Sequence, residues 1–374
     1  MMDPPIDPLR AQGEIGDWQQ RLARALEAAE RLPAPTAGVT PVDVRLPIGR
    51  RAELLGYYPG GDWQGKDSAA PPSEETAPSP QRQERPPVLI VYSLVNRPFI
   101  LDLTAERSWI RRLRAAGHPV YLLDWREPQG ADRFISLDEH IDGGLAAAAV
   151  TIADRHDGQK PHLLGICQGG TFALCLAALR PNLLKRLVLL VTPVDFATPE
   201  DRLSQLAQGL DFERIGERLG NISAHWLNAF FVALKPYRLL SQRYLDFPEL
   251  AEQPQALEDF MRLERWMYDS PRQPRAAFTQ FARDFYQRNG LLNGTLELCG
   301  EPLTLDQVRA PTLNIYAAHD HLVPAAAAQA LRDHIGTPHY REIAFAGGHL
   351  GVFISRRAHR ELLPEVLAWL ATGP

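Results

Sequence analysis

Residues 165–169 read Gly-Ile-Cys-Gln-Gly, between an apolar run that starts at His162 (HLLGI) and a helical stretch from Gly169 to Arg180. A G-x-C-x-G pattern between a strand and a helix is a nucleophile elbow with cysteine in the serine position. So tight a turn brings neighbouring backbones into contact, and a side chain on either flank would clash, hence the glycines. Cys167 is therefore expected strained and exposed at a helix N-terminus, where the helix dipole and unpaired amides favour a thiolate. The amide of Gln168 would point at the same spot and supply one oxyanion donor. Two further residues make the pattern more than a local coincidence. Asp320 ends the run TLNIYAAHD, and His349 in GGHLG follows another strand-like run. Nucleophile, acid and histidine, each just past the C-terminal end of a predicted strand, form a Cys-His-Asp triad able to attack an ester or thioester carbonyl.

Other residues compete for these roles. His319 and His321 flank Asp320, but a neighbour of the acid is poorly placed to receive its hydrogen bond and also reach the thiol. His349 is the predicted base, and His321 is expected to stand beside the acid. His118 and His162 lie at strand starts, the wrong edge of the sheet, and read as structural. Cys175, inside FALCLAAL, and Cys299 read as buried small hydrophobes.

Such a triad needs a parallel sheet beneath it. VLIVYS (Val88 to Ser93) and PVYLLDW (Pro119 to Trp125) are continuous apolar runs, as are HLLGI and LVLLVT from Leu187, and strands buried on both faces read this way. Helical segments are expected at Glu106 to Ala116, Leu137 to His156 and Gly169 to Arg180. Alternation of strand and helix implies parallel strands joined by right-handed crossovers. Residues 42–58 read as two short antiparallel strands ahead of them. From Pro193 to Ala310 the strand signal disappears and the text becomes helical and aromatic, Trp226, Tyr237, Trp266 and Phe285 among it, which predicts a helical cap over the sheet. Strand and helix resume at Thr312 to Ala318, Ala325 to Ile335, Arg341 to Phe345 and Arg360 to Ala371. The predicted organisation is an N-terminal helical extension over 1–40, a first part of the core over 41–192, the cap over 193–310 and a second part of the core over 311–374. In the extension, Ile15, Trp18, Leu22, Leu26, Ala29 and Leu32 recur at helical spacing and predict an amphipathic helix.

Composition sets the outer bounds. The 374 residues are 45% hydrophobic and 23% charged, with a formal net charge of -5, which excludes collagenous, wholly disordered and disulfide-scaffold classes. Mild acidity argues against bulk nucleic-acid binding. No apolar run approaches the roughly 18 residues needed to span a bilayer. Three cysteines cannot all pair, and the opening MMDPPIDPLR is acidic and proline-rich rather than a basic, apolar leader. Reduced thiols and a cytoplasmic location are the expectation. Nearly half of the 32 prolines precede Val88, and from Gln64 to Pro87 no apolar side chain other than proline exceeds alanine, so this stretch is expected to be a disordered loop.

The chain order of the triad is that of α/β-hydrolases. A closer match lies in VLIVYSLVNRPFILDL, LLGICQGGTFALCLAAL followed by LVTPVDFATP, then LKPYRLL, RLERWMYDSP, FYQRNGLLNG, NIYAAHDHLVP and AFAGGHLGVFIS. In this order and spacing they resemble the catalytic subunit of class III polyhydroxyalkanoate synthases, from roughly Pro41 to Leu370 apart from the Gln64 to Pro87 stretch. The departures are that stretch, the extended N-terminus and a single proline in HLVPAAA, and none touches the triad. The resemblance implies an α/β-hydrolase fold with a mostly parallel sheet and an inserted helical cap. It implies an acyl-CoA-dependent polymerase whose Cys, His and Asp map onto Cys167, His349 and Asp320, with (R)-3-hydroxyacyl-CoA, 3-hydroxybutyryl-CoA foremost, as substrate and no cofactor or metal. A backbone amide of the Leu94 to Asn96 loop, that of Val95, would complete the oxyanion hole with Gln168. A second, non-homologous subunit of the PhaE type, a homodimer as the smaller unit and a place at the surface of polyhydroxyalkanoate granules are implied as well. Two alternatives share the sequence features: a cysteine hydrolase (thioesterase, dienelactone hydrolase or polyester depolymerase) that admits water, and a noncatalytic granule-binding scaffold.

Overall fold

Apolar runs with no polar alternation can only be satisfied between two layers of helix, and this chain places them at the centre of its sheet. A computed structural model of the protein describes residues 8–32, 38–60, 85–234 and 243–372. Most of the expected 64–87 loop, and Tyr237 of the aromatic series, lie outside the described residues.

The strands are β1 (Val44–Ile48), β2 (Ala52–Tyr57), β3 (Val88–Val91), β4 (Val120–Trp125), β5 (His162–Ile166), β6 (Leu187–Leu190), β7 (Leu296–Leu298), β8 (Glu301–Leu303), β9 (Thr312–Ala317) and β10 (Tyr340–Phe345). Eight form one sheet in the order β1-β2-β4-β3-β5-β6-β9-β10. β1 and β2 pair antiparallel, as does β2 with β4, and every other pairing in this sheet is parallel. The register aligns Ile166 with Leu190 and Leu190 with Ile315, so the loops after β5, β6 and β9 leave from one edge. All four residues of β3 are fully buried, whereas β1 at the sheet's edge alternates buried and exposed.

The helices are α1 (Pro8–Glu30), α2 (Trp109–Ala115), α3 (Leu137–His140), α4 (Ala147–Arg155), α5 (Gln168–Leu179), α6 (Arg202–Gln208), α7 (Phe212–Leu219), α8 (Ala224–Leu234), α9 (Arg243–Leu245), α10 (Pro254–Tyr268), α11 (Arg275–Phe281), α12 (Gly290–Asn293), α13 (Ala325–Gln329), α14 (Gly351–Ile354) and α15 (Arg356–Ala371). The single helix expected over 137–156 is interrupted by a π turn at Ile141–Ala146. There Gly144 lies against Trp125, and a Cβ would come within 2.9 Å of the indole. The helix behind the elbow, α5, is buried on all sides, in keeping with its nearly all-apolar sequence.

Three expectations need correcting. The 193–310 stretch does contain strands: β7 and β8 form a two-stranded antiparallel sheet. Each is three residues long, too short for periodicity to register. Cys299 is not a buried hydrophobe but the first of two left-handed residues, at φ 56° with Gly300 at 73°, that make the turn of this hairpin. The last helix starts at Arg356 rather than Arg360, because Ser355 caps it by accepting the Ala358 amide at 3.0 Å.

The residues divide into two compact units, 1–37 with 225–269, and 38–224 with 270–374. The division runs through the stretch expected as one cap, leaving 193–224 and 270–310 with the sheet. In the smaller unit α1 packs Ala25 with Leu22, Ala29 and Leu32 around Phe247 and Leu257. Ile15 and Leu26, expected on that face, are exposed, so the buried stripe is narrower than the apolar pattern.

In the larger unit a buried carboxylate ties the chain ahead of β1 to the loop before α2. Asp102 accepts hydrogen bonds from Val39 N (2.9 Å), Thr40 N (2.7 Å), Thr40 Oγ1 (2.7 Å) and Ser108 Oγ. Burial nonetheless raises its pKa. Asp102→Ala would strand four donors in the interior, and a loss of about 3 kcal/mol in unfolding free energy is expected by urea titration.

Candidate active site

β5 ends at Ile166 and α5 begins at Gln168, so one residue makes the whole turn. Cys167 has φ 54° and ψ -126°, a conformation that costs a non-glycine residue about 1–3 kcal/mol and survives only where surroundings over-determine it. They do so here. Cys167 N donates to Leu190 O at 2.9 Å and Cys167 O accepts from Gly170 N at 2.9 Å. A Cβ on Gly165 would lie 2.6 Å from Gly170 Cα, and one on Gly169 would lie 2.7 Å from the Tyr92 carbonyl carbon. Gly170, which the sequence pattern did not single out, is more tightly constrained still, since its Cβ would lie 2.8 Å from Thr192 Cβ and collide with Thr192 Oγ1. These close approaches draw β3, β5, β6 and α5 together and leave the thiol at the sheet's C-terminal edge, half-buried.

The loops after β9 and β10 bring the other two residues to it. They are held in step by Ala318 N donating to Phe345 O (2.8 Å) and His319 N to Gly347 O (2.9 Å). Asp320 Oδ1 accepts the amides of Leu322 (2.9 Å) and Val323 (3.1 Å), which aims Oδ2 at His349 Nδ1, 2.7 Å away. With Nδ1 so engaged, Nε2 is left for the thiol of Cys167, which lies within hydrogen-bonding reach. Burial alone would lower the His349 pKa, but the negative charges facing it from Asp320 and Cys167, each also hydrogen-bonded to it, raise it to about 10. Burial likewise opposes the Asp320 charge, and His349 with the two amides outweighs it to hold the carboxyl below its usual value. The ring packs edge-on against Phe353 at 5.9 Å. Chemically the three form an imidazole that holds a proton, oriented by a fixed carboxylate, beside a strained sulfur.

Gln168 acts through more than its amide. Its buried side-chain oxygen accepts the Leu94 N–H at 2.9 Å, pinning the loop after β3 across the mouth of the elbow. The Leu94 amide is thus engaged, and the Val95 amide sits 3.3 Å from Ser93 Oγ, a long bond that a stronger acceptor can displace. Gln168→Leu keeps the helix and its N–H but releases this loop. The expected outcome is a kcat lowered about tenfold or more with KM little changed, measured by initial rates of thiol release.

The remaining candidates fall into place by position. His321 adjoins the acid in sequence, but the acid takes its hydrogen bonds from Leu322, Val323 and His349. His319 is exposed. His118 and His162 are buried together at the N-terminal ends of β4 and β5, rings 6.0 Å apart, and burial drives His162 down to about 3, so it stays neutral. Cys175 is fully buried in α5, which pushes its pKa far up. Cys299 is raised to about 11 by burial and by Asp138 and Asp142.

Two tyrosines near the thiol were not anticipated. Tyr92 directly follows β3, and Tyr286 lies in the π turn after α11, with its ring 5.0 Å from Phe196. Burial raises both hydroxyl pKa values; Cys167 adds to the shift at Tyr92, and Asp201 and then Cys167 add to it at Tyr286. Both are buried hydroxyls held neutral, and the charge of Cys167 reaches each of them. The one available sequence signal was their place in conspicuous motifs, YSLVNRP and FYQRNG.

Comparison with known proteins bears on the family and the fold. The family described as alpha/beta hydrolase fold matches residues 86–355. The chain is 38% identical over 98% of its length to "Poly(3-hydroxyalkanoate) polymerase subunit PhaC" of Allochromatium vinosum, covering 99% of that protein. It is 42% identical to the protein of the same name from Thiocystis violacea, covering 98% of each chain. Among solved structures, a hydrolase from Pseudomonas aeruginosa superposes with a TM-score of 0.51 at 17% identity, over 86% of this chain and 94% of that one, a likeness of fold.

Proposed function

Since the chain belongs to the poly(3-hydroxyalkanoate) polymerase PhaC family, fits its class III and polymerises hydroxyacyl-CoA, we propose that it builds the polyester on Cys167 with His349 as base and Asp320 as its orienting acid. The observation that carries this reading is the 2.7 Å bond from His349 Nδ1 to Asp320, on the far side of the imidazole from the thiol at the elbow.

In the first half of the cycle the Cys167 proton rests on His349, whose pKa is raised to about 10, and the sulfur attacks the thioester carbonyl of the acyl-CoA. The oxyanion that forms is met by the Gln168 amide and by that of Val95 once it leaves Ser93. The bond to the CoA sulfur breaks, and that sulfur recovers the proton from His349. One thioester has replaced another, at little free-energy change. In the second half His349 deprotonates the 3-hydroxyl of a hydroxyacyl unit, whose oxygen attacks the thioester carbonyl carrying the growing chain. An ester bond forms as the carbon–sulfur bond to Cys167 breaks, that sulfur takes the proton from His349, and the elongated chain, now on the incoming CoA, returns to Cys167 by the same thioester exchange as in the first half. Water must lose to that hydroxyl, and excluding water from the site would favour that outcome.

The substrate best matched to this reading is (R)-3-hydroxybutyryl-CoA. A PhaE-type second subunit and a homodimer are part of the same proposal, as is residence at the surface of the polymer granule. No helix among the described residues is long and apolar enough to cross a membrane. Incubation with (R)-3-hydroxybutyryl-CoA tests the assignment: insoluble polymer with stoichiometric CoA is expected, and free 3-hydroxybutyrate as the main product would reassign the site to hydrolysis. Adding the co-purifying partner is expected to raise the rate.

A further inference from the structure

Beside the catalytic loop lies a small, open cleft that does not include Cys167. It opens at the C-terminal end of β4, between the β1–β2 turn, the residues after Trp125 and the segment leading into α11. Four arginines line it, at 50, 51, 126 and 272, with Glu127 and Asp132. Two of the four are walls already neutralised: Arg51 pairs with Glu139 at 2.5 Å and Arg272 with Glu127 at 3.0 Å. Asp132 is spent capping its own turn through the Gln129 amide. The other two arginines are not matched in this way. Arg50 is exposed and has neither ion pair nor hydrogen bond among the described residues. Arg126 reaches Glu53 only at 3.8 Å, and that carboxylate is already held by Arg45 at 2.7 Å. The cleft thus presents one unpaired guanidinium group and one held only by a long ion pair to a shared carboxylate, and each offers the fork geometry that binds phosphate oxygens.

Its position says which phosphate. Leu94 lines the cleft and donates its amide to the side chain of Gln168, the residue after the nucleophile. β4 and β5 flank β3 on either side, which at the usual strand spacing sets the cleft about 10 Å to one side of the elbow. A thioester at Cys167 whose carrier arm runs past Leu94 would deliver the end of that arm here. We propose that Arg50 and Arg126 form the subsite for the diphosphate of the acyl-CoA substrate. This rests on the polymerase reading of the site, and it adds the group by which the enzyme tells CoA from a shorter thiol carrier.

The test compares (R)-3-hydroxybutyryl-CoA with the corresponding pantetheine thioester, which carries the same acyl group and arm but no phosphate, following initial thiol release. In R50A/R126A the KM for the CoA substrate should rise about tenfold or more with kcat unchanged, because charge-assisted bonds to the phosphates are lost from ground and transition state alike. KM for the pantetheine thioester should not move, and R50K/R126K should recover much of the loss. An unchanged KM for the CoA substrate would overturn the proposal. So would an equal rise with both substrates, which would mean that the loop at Leu94 had shifted instead. If the wild-type protein released thiol from neither substrate the polymerase reading would itself fail, an outcome separate from a failure to discriminate.

Discussion

Cys167→Ala is expected to lower CoA release from hydroxyacyl-CoA by at least ~10⁴-fold, because removing the nucleophile of such a triad leaves only the contribution of binding and of the oxyanion donors. Alanine takes up the same φ of 54° with the same Cβ, so the turn and the fold should survive. Neither of the other cysteines can substitute. Cys175 is sealed inside α5, and Cys299 sits in a hairpin turn with its pKa raised by burial and two carboxylates. Wild-type-like CoA release from a folded Cys167→Ala protein would remove the covalent mechanism altogether and favour a scaffold role. In the wild-type protein, mass spectrometry after brief exposure to substrate should find the acyl group on the peptide containing Cys167.

Asp320→Asn should cost nearly as much, about 10²–10⁴-fold in kcat, since an amide at this position can stabilise the wrong imidazole tautomer while leaving the geometry intact. It should also leave a signature that a merely structural role would not. The His349 pKa is raised to about 10 against burial, with Asp320 the largest of the opposing causes. Removing that charge should move the imidazole titration, followed by NMR, to lower pH.

The stability consequences follow from the same two shifts. His349, with its folded pKa above the unfolded value near 6.5, contributes fully below that pH and loses its contribution as pH rises toward about 10. Asp320, with its folded pKa below 3.8, contributes above that pH and loses its contribution as pH falls through the lower folded value. The gap in unfolding free energy between wild type and Asp320→Asn should therefore be widest between about pH 4 and 6.5, and narrow on both sides. A gap that stays constant across pH would show that the pair is not charged as described.

Much of this site could be read before any coordinates because its parts are local. The elbow needs glycine at 165 and 169 for reasons internal to a five-residue turn, and Asp320 and His349 each stand just past a recognisable apolar run. That the central strands run parallel needed nothing beyond the alternation of strand and helix, whereas their order in the sheet came from the structure. What escaped was short or shared between distant segments. β7 and β8 are three residues each, less than two periods of a strand. Leu26 fits the apolar spacing of α1, yet nothing in the partner segment at Phe247 and Leu257 reaches it. Gly170 is required not by its own turn but by Thr192, which arrives from the end of β6.

The same distinction separates what the chain's text determined from what folding decided. Residue type and period along the chain specified a cysteine nucleophile at an α/β elbow, the acid and base that follow it, and the strands whose ends carry them, since each is a property of a few consecutive residues. Only the tertiary structure decided that the Gln168 side chain holds Leu94 across 74 positions of sequence, that Tyr92 and Tyr286 are buried within reach of the Cys167 charge, and that Arg50 is left without an ion pair while Arg126 has only a long one. Those facts depend on which remote groups pair with one another. Burial pattern records that a residue is inside, while the partner it meets there is set by the packing of the whole chain.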